Sequence, residues 1–409
     1  MLKTKCRMCN GHLKRFLDLG VTPLADAFLK EEQLSEPEKY YPLRVCTCLS
    51  CGLAQLDYVV PGDELYRKNY PYLSSTTKTG KEHFHGMAGD ICKKISFGKS
   101  NFAIDIGSNI GVLLEGFKNE GLRVLGIDPA TNIAKLANER GIETLPEFFN
   151  SSIAKKVLKK YGKADVVTGT NVFAHVDELD DLVSAVKSLL NDNGIFVIEV
   201  PYLVDLIEKL EYDTIYHEHL SYISVKPLVK YFAKFYMEVF DVQRYPIHGG
   251  TIRVFICSKG EQKISKNVNE LIKLEEKAEI YSLERLKKFE QDVLKQRGEL
   301  VKLLGGIKKR GKRIVGLSAP AKGNTMLNFC RIGTKYLDYL TEKTHIKLGL
   351  YTPGTHIKIF EDKKILEDMP DYALILAWNF ADEIMKNMEA YKKKGGKFII
   401  PIPKPRIVK

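Results

Sequence analysis

No run of about 18 apolar residues, the length that crosses a bilayer as a helix, occurs in this chain. The segment Met1-Leu2-Lys3-Thr4-Lys5-Cys6 has no apolar signal region, so the cytoplasm is the expected compartment and no membrane partner is expected. Low-complexity tracts and a clear internal repeat are also missing, from a globular composition of 44% hydrophobic and 28% charged residues. At 409 residues the chain exceeds one ordinary domain, and two or three are expected. The net charge of +12 is lysine-rich and dispersed, much of it within 263–312 and at Lys392-Lys393-Lys394. Such dispersion points to solvated helix faces and a site for a small anion, such as nucleotide phosphates, rather than to nucleic acid.

Cysteine is scarce, with eight residues, yet four of them form two tight pairs, Cys6-x-x-Cys9 and Cys48-x-x-Cys51. Two such knuckles, each followed by a turn former (Asn10-Gly11 and Gly52), suit one tetrahedral zinc held by four thiolates. A closed four-sulfur site is structural, because catalytic zinc keeps an open position. Cys46 could stand in for Cys48, although its spacing fits less well. A zinc-stapled module over residues 1–75 is expected.

The link Tyr66–Thr77 is rich in tyrosine and hydroxyls, including Tyr70, Tyr72, Ser74 and Ser75. It reads equally as a surface loop or as a lid over a polar ligand. Strands then alternate with helices. Strands are expected over 102–107, 123–127, 164–168 and 194–200, and helices over 112–119 and 179–190. That alternation implies a largely parallel, doubly wound sheet with ligands at the carboxyl ends of its strands. Residues 263–309 carry apolar residues at helical spacing, split into two helices, with glycines 305, 306 and 311 marking the end. A second α/β unit starts at Arg313, with strands over 372–378 and 397–401 and a helix over 381–394.

Asp105-x-Gly107-x-x-x-Gly111 is a strand-to-helix glycine turn, with Ser108 and Asn109 inside it. Asp128, at the end of the next strand, is placed to take ribose hydroxyls. Asn171 follows the fourth strand. The G-x-G-x-x-G spacing of dinucleotide binders is absent, so S-adenosylmethionine (SAM) is favoured over a nicotinamide dinucleotide. Ala319–Thr325, with Lys322 and Asn324, has the makings of an anion turn at a helix N-terminus. His248-Gly249-Gly250 could add anion or sugar contacts, or be a plain hairpin turn into a strand that carries Arg253. His175, after a strand, is as readily a packing residue as a ligand. The densest polar run is Tyr216-His217-Glu218-His219-Leu220-Ser221-Tyr222, where histidines that titrate near neutrality sit beside an acid and two phenols.

Taken together, these motifs resemble the SAM-dependent C-methyltransferases of nucleotide-activated deoxysugars, which act on C-3 of 4-keto sugars. The resemblance runs along the whole chain. It includes the paired cysteine knuckles, Tyr70–Ser75, Asp105–Asn109, Tyr216–His219, His248–Gly250, Ala319–Thr325, Pro353–Ile357, Leu376–Asn379 and Pro401–Pro403. Ile110 departs from it, standing where the family often has an acid.

The resemblance implies an α/β protein in three parts: an N-terminal zinc-binding module, a central class I SAM methyltransferase (Rossmann-like) domain over 76–262, and a second Rossmann-like domain over 311–409. A helical connector, 263–310, joins the last two. It further implies SAM at Asp105, Gly107, Ser108, Asn109, Gly111, Asp128 and Asn171, and structural zinc at Cys6, Cys9, Cys48 and Cys51. A nucleotide-diphosphate 4-keto-deoxysugar (dTDP or GDP) would lie near Ser74, Ser75, His248, Arg253, Lys322, Asn324, Trp378 and Asn379. The implied base is His219, with Tyr216, Glu218, His175, Tyr222, Tyr70 and Tyr72 around the reacting sugar. Glu218 would fix the histidine tautomer or bind a sugar hydroxyl. An O- or N-methyltransferase of a nucleotide sugar, or a non-catalytic zinc and nucleotide module, are the alternatives.

Overall fold

The computed structural model describes residues 1–66, 78–95 and 101–409, apart from the side chains of residues 78, 79 and 248. Three sheets organise them. The first has four antiparallel strands, in the order Leu13–Thr22, Tyr41–Cys48, Ala54–Leu56 and Ser221–Tyr222. Its last strand comes from far along the chain: Tyr222 pairs with Ala54, and Ser221 with Gln55. The densest polar run therefore ends as an edge of the cysteine-bearing sheet.

The second sheet has seven strands. Five are parallel, ordered Thr144–Leu145, Arg123–Ile127, Phe102–Ile106, Ala164–Thr170 and Leu190–Pro201. Thr251–Ser258 and Met237–Tyr245 complete it in antiparallel sense. Strand Phe102–Ile106 is buried throughout, as expected where helices cover both faces of a parallel sheet. Connections leave its two sides in opposite directions, which opens a crevice at the carboxyl ends of Phe102–Ile106 and Ala164–Thr170. Helix Val112–Asn119 buries Val112, Leu113, Leu114 and Phe117 on one flank. Gly116 lets it approach helix Lys78–Lys94 closely, since a Cβ there would stand 2.8 Å from that of Ala88.

The third sheet is ordered Ile359–Glu361, Leu340–Glu342, Ile314–Leu317, Tyr372–Ile375, Lys397–Ile400 and Arg406–Val408, parallel except for the last strand. Two helices precede it, Lys266–Lys277 and Leu283–Lys309. The longer one starts at Ser282, whose hydroxyl accepts from Arg285 N. Its buried Leu286, Phe289, Val293, Leu300, Leu304 and Ile307 form one stripe. Phe289 meets Phe16 of the first sheet, ring centroids 6.5 Å apart. Gln296 in the same stripe accepts from Tyr212 Oη (2.7 Å) and donates to Pro401 O (2.8 Å), tying the central and C-terminal parts.

Some expected boundaries shift. Glycines 305 and 306 lie inside the long helix, and only Gly311, at φ 70°, follows its end. The strand expected to reach Trp378 stops at Ile375, and the helix expected over 381–394 breaks at Met388 into two short ones. No helix among the described residues is long and apolar enough to cross a membrane.

Candidate functional site

A cavity of about 480 Å³ occupies the crevice at the carboxyl ends of the central parallel strands. Asp105, Gly107, Ser108, Asp128 and Asn171 line it, as do Thr170, His175 and Leu220. Gly107 takes φ 66°, and a Cβ there would stand 2.3 Å from Val172 Cγ2, so the turn requires glycine. Asp128 accepts from Asn109 N and Ala130 N, both at 2.9 Å, which fixes its carboxylate at the rim. Burial pushes the Asp105 carboxyl up to about 7, with the Thr168 hydroxyl opposing and Asp128 adding to the rise.

Ser108 Oγ and Thr170 Oγ1 are buried with no partner among the described residues. A polar ligand in the cavity would satisfy them, so the site fits a cofactor with hydroxyl, amino and carboxylate groups. Asn109 and Gly111 lie behind this wall rather than on it. Gly111 sits at φ 81° at the head of helix Val112–Asn119, packed on Ile142, where it shapes the turn.

The polar run meets the cavity through stacked rings. His219 stacks on His175, a wall residue, with centroids 4.9 Å apart and planes 23° apart. Tyr216 lies against His219 at 4.0 Å, and Tyr66 against His175 at 6.2 Å. His219 Nδ1 is 2.7 Å from the Thr214 carbonyl oxygen. A carbonyl only accepts, so Nδ1 carries the hydrogen and Nε2 is left as an acceptor. Burial pulls the His219 imidazole down to about 4, with Thr214 opposing. It is therefore neutral at pH 7. The tautomer is set by Thr214 and not by Glu218, one of the two tasks considered for that acid.

Glu218 is buried, with Oε2 unpartnered among the described residues. Burial pushes its carboxyl up to about 8, and Asp26 of the N-terminal part adds to the rise. At pH 7 it is largely a neutral acid able to donate. His217 points elsewhere: its buried ring meets the edge of Tyr41 at 5.8 Å. Tyr222 is a strand residue of the cysteine-bearing sheet, and its buried hydroxyl is not on the cavity wall.

The expected sugar-nucleotide residues fall into two groups. Lys322 Nζ lies 4.2 Å from the Trp378 ring centroid, among the acids Asp213 and Glu211. Trp378 Nε1 donates to Asp213 Oδ2 at 2.6 Å. Asn324 is buried and donates to Ala25 O at 2.7 Å, while its Oδ1 and that of Asn379 are buried without a partner among the described residues. These residues stand together where the three parts meet.

Arg253 does not join them. It is 1% exposed, donates to Glu199 Oε2 (2.8 Å) and Tyr245 Oη (2.9 Å), and lies off the cavity wall. An arginine in a buried strand needs a partner carboxylate, and Glu199 of the neighbouring strand supplies it. Tyr70, Tyr72, Ser74 and Ser75 lie outside the described residues, as does the side chain of His248.

Cys6, Cys9, Cys48 and Cys51 converge, with all four sulfur atoms within 4.8 Å of one another. Cys6–Cys51 and Cys9–Cys48 are 3.6 and 3.4 Å apart. Four sulfurs about 2.3 Å from one zinc would be roughly 3.8 Å from each other, so the donor set fits zinc. Asn10 and Gly52 turn the two knuckles at φ 57° and 85°. Cys46 stands apart beside Asp57, its thiol pushed up to about 12 by burial and by that acid.

Sequence reasoning had not singled out Thr170, Thr214, Asp26, Asp213 or Glu211. Tyr66 was visible only as the first tyrosine of the link. Thr214 acts through its backbone, which leaves no mark in a sequence.

Residues 6–66 match a zinc binding domain family, 79–239 a methyltransferase domain family, and 246–403 the C-methyltransferase C-terminal domain family. The chain is 34% identical to C-methyltransferase NovU of Streptomyces niveus over 99% of its own length and 96% of the relative's. A ubiquinone biosynthesis O-methyltransferase of Escherichia coli O7:K1 is 32% identical over 24% of this chain and 41% of its own. Among solved structures, the PH0226 protein of Pyrococcus horikoshii covers 46% of this chain and 95% of its own at 14% identity, with a TM-score of 0.37.

Proposed function

Because the chain belongs to the C-methyltransferases and is a SAM-dependent enzyme with a zinc-binding domain, we propose that it methylates C-3 of a nucleotide-diphosphate 4-keto-deoxysugar, with His219 as the general base. SAM, when bound, supplies an electrophilic methyl group for a carbon nucleophile. Asp105, Ser108, Asp128, Thr170 and Asn171 would hold it, and the unpartnered hydroxyls of Ser108 and Thr170 support that reading.

The observation that carries the proposal is the His219 imidazole itself. Its Nδ1–H is committed to Thr214 O, its Nε2 is left as an acceptor with no hydrogen-bond partner among the described residues, and its ring stacks on a wall residue of the cavity. A 4-keto group acidifies the C-3 hydrogen, and Nε2 would accept that proton. The resulting enolate oxygen needs a donor, and Tyr216 and His175, whose rings lie against His219, are the candidates, with Glu218, the residue before it, as a further one. Such donors are typically worth about 100-fold or more in rate. Lys322, Trp378, Asn324 and Asn379 would take the nucleotide end of the substrate. Tyr70 and Tyr72 of the link are further candidates for the sugar.

The test is to incubate the protein with SAM and a panel of dTDP- and GDP-linked 4-keto-6-deoxysugars and to locate any new methyl group by NMR. Solvent deuterium entering C-3 without methyl transfer would mark the enolate. A methyl found on oxygen or nitrogen, with no exchange at C-3, would overturn the assignment.

A further inference from the structure

We propose that Arg7 is a positioning residue: its single guanidinium, held between two zinc-knuckle cysteines, sets the spacing of the two chain segments that carry His175 and His219. The inference rests on the role given above to those two histidines.

Arg7 stands inside the knuckle Cys6-Arg7-Met8-Cys9, and its side chain is 3% exposed. Its Nη1 donates to the carbonyl of Leu220, the residue after His219, and to Ser221 Oγ at 3.3 Å. Its Nη2 donates to Leu56 O at 3.4 Å. On the other side Nε is 3.6 Å from Asp177 Oδ1, two residues after His175. Lys3 Nζ, from the same N-terminal segment, meets the second oxygen of Asp177 at 2.6 Å. Leu220 and Asp177 both line the cavity. One guanidinium thus hydrogen-bonds to the residues after His219 and forms an ion pair, without a hydrogen bond, with Asp177 two residues after His175.

A buried guanidinium is expensive unless fully engaged, and arginine's rigid fork holds several acceptors in fixed directions. The knuckle gives that fork a firm base. Arg7 N donates to Gln55 Oε1 at 3.0 Å, and Lys234 Nζ donates to Met8 O at 2.8 Å. Zinc on Cys6 and Cys9 would keep the turn between them from sliding. The metal site would then act on the reaction through geometry alone. Displacements of about 1 Å at reacting groups can cost on the order of 100-fold in rate.

The test compares Arg7→Gln and Arg7→Lys with the wild-type protein. Zinc content, kcat and KM are measured, and a spectrum is recorded with 15N-labelled histidine. Arg7→Gln should keep one zinc per chain and a KM within about threefold, lose about 100-fold in kcat, and move the His175 and His219 signals but not that of His356. Arg7→Lys should recover part of kcat. Unmoved histidine signals, or a kcat within about twofold of wild type, in a variant that keeps its zinc would overturn the proposal.

Should Arg7→Gln lose zinc or fail to fold, Asp177→Ala removes the His175 arm, together with the Lys3 ion pair, and leaves the His219 arm in place. An unmoved His175 signal there overturns the proposal equally. The spectrum requires no substrate. A wild-type protein inert toward every 4-keto sugar would therefore count against the functional reading, while the histidine shifts still decide this one.

Discussion

His219 and Thr214 are joined through a 2.7 Å hydrogen bond from a ring nitrogen to a backbone carbonyl, which leaves the other ring nitrogen of His219 as an acceptor. Glutamine or asparagine in that place would keep a polar group but not a base of comparable strength. His219→Asn should lower kcat by about 100-fold or more while SAM affinity, measured by calorimetry, stays within about threefold. Turnover near wild type would remove His219 from the base's role.

Asp105 offers a pH-dependent readout. Its buried carboxyl is pushed up to about 7 in the free protein. Binding of a cationic cofactor against it favours the ionised form, so a proton must leave on binding below that value. SAM affinity should be flat above about pH 7.5 and should fall toward tenfold per unit as pH drops below about 6.5. Calorimetry in buffers of different ionisation enthalpy at pH 6 would show the released proton. Asp105→Asn should abolish the release.

His217 offers another. Its imidazole is pulled down to about 4 by burial, with the Tyr41 and Pro42 backbone opposing. Between the unfolded value near 6.5 and about 4, only the unfolded chain takes up this proton. Its contribution to stability is therefore complete above about pH 6.5 and is lost as pH falls, by up to about 1.4 kcal/mol per unit. Urea unfolding at pH 7, 6 and 5 should show a shallower decline for His217→Phe than for the wild type.

The four-sulfur cluster predicts that Cys48→Ser loses the bound zinc and lowers Tm by roughly 10 °C or more, because metal binding energy is folding energy here. Cys46→Ser, whose sulfur lies beside Asp57 and outside the cluster, should keep one zinc per chain. Metal analysis of the two purified variants separates the alternatives.

Gln296→Leu would strand the Pro401 carbonyl and leave the Tyr212 hydroxyl with only the weak Cys330 Sγ partner at 3.5 Å, both now bonded to Gln296 in the interior. A loss of about 2–4 kcal/mol in unfolding free energy is expected. Adding Tyr212→Phe should recover part of it.

What the sequence disclosed follows from the range of the physics involved. Asp105 and Gly107 were legible because a strand-to-helix turn is local. Cys6, Cys9, Cys48 and Cys51 were legible because thiolate spacing reflects one metal's geometry. The run 216–222 was legible because its polar density fits no ordinary core element. Arg253 misled: alone it resembled a ligand residue, and only strand pairing across more than fifty residues revealed Glu199 beside it. Arg7 and Asp26 reach their targets across some two hundred positions, and no local pattern encodes such a meeting.

Strand Ser221–Tyr222, which completes the cysteine-bearing sheet, has a consequence for anyone recombining these enzymes. The border between the N-terminal and central parts is not a cut point in the chain but a shared piece of backbone. A chimera that imports residues 1–66 from a relative while keeping the native 211–224 would mate one protein's sheet with another's edge. The transferable unit is both segments together, and with them travel His219, the Thr214 carbonyl it bonds and the cysteine knuckle whose Arg7 reaches Leu220.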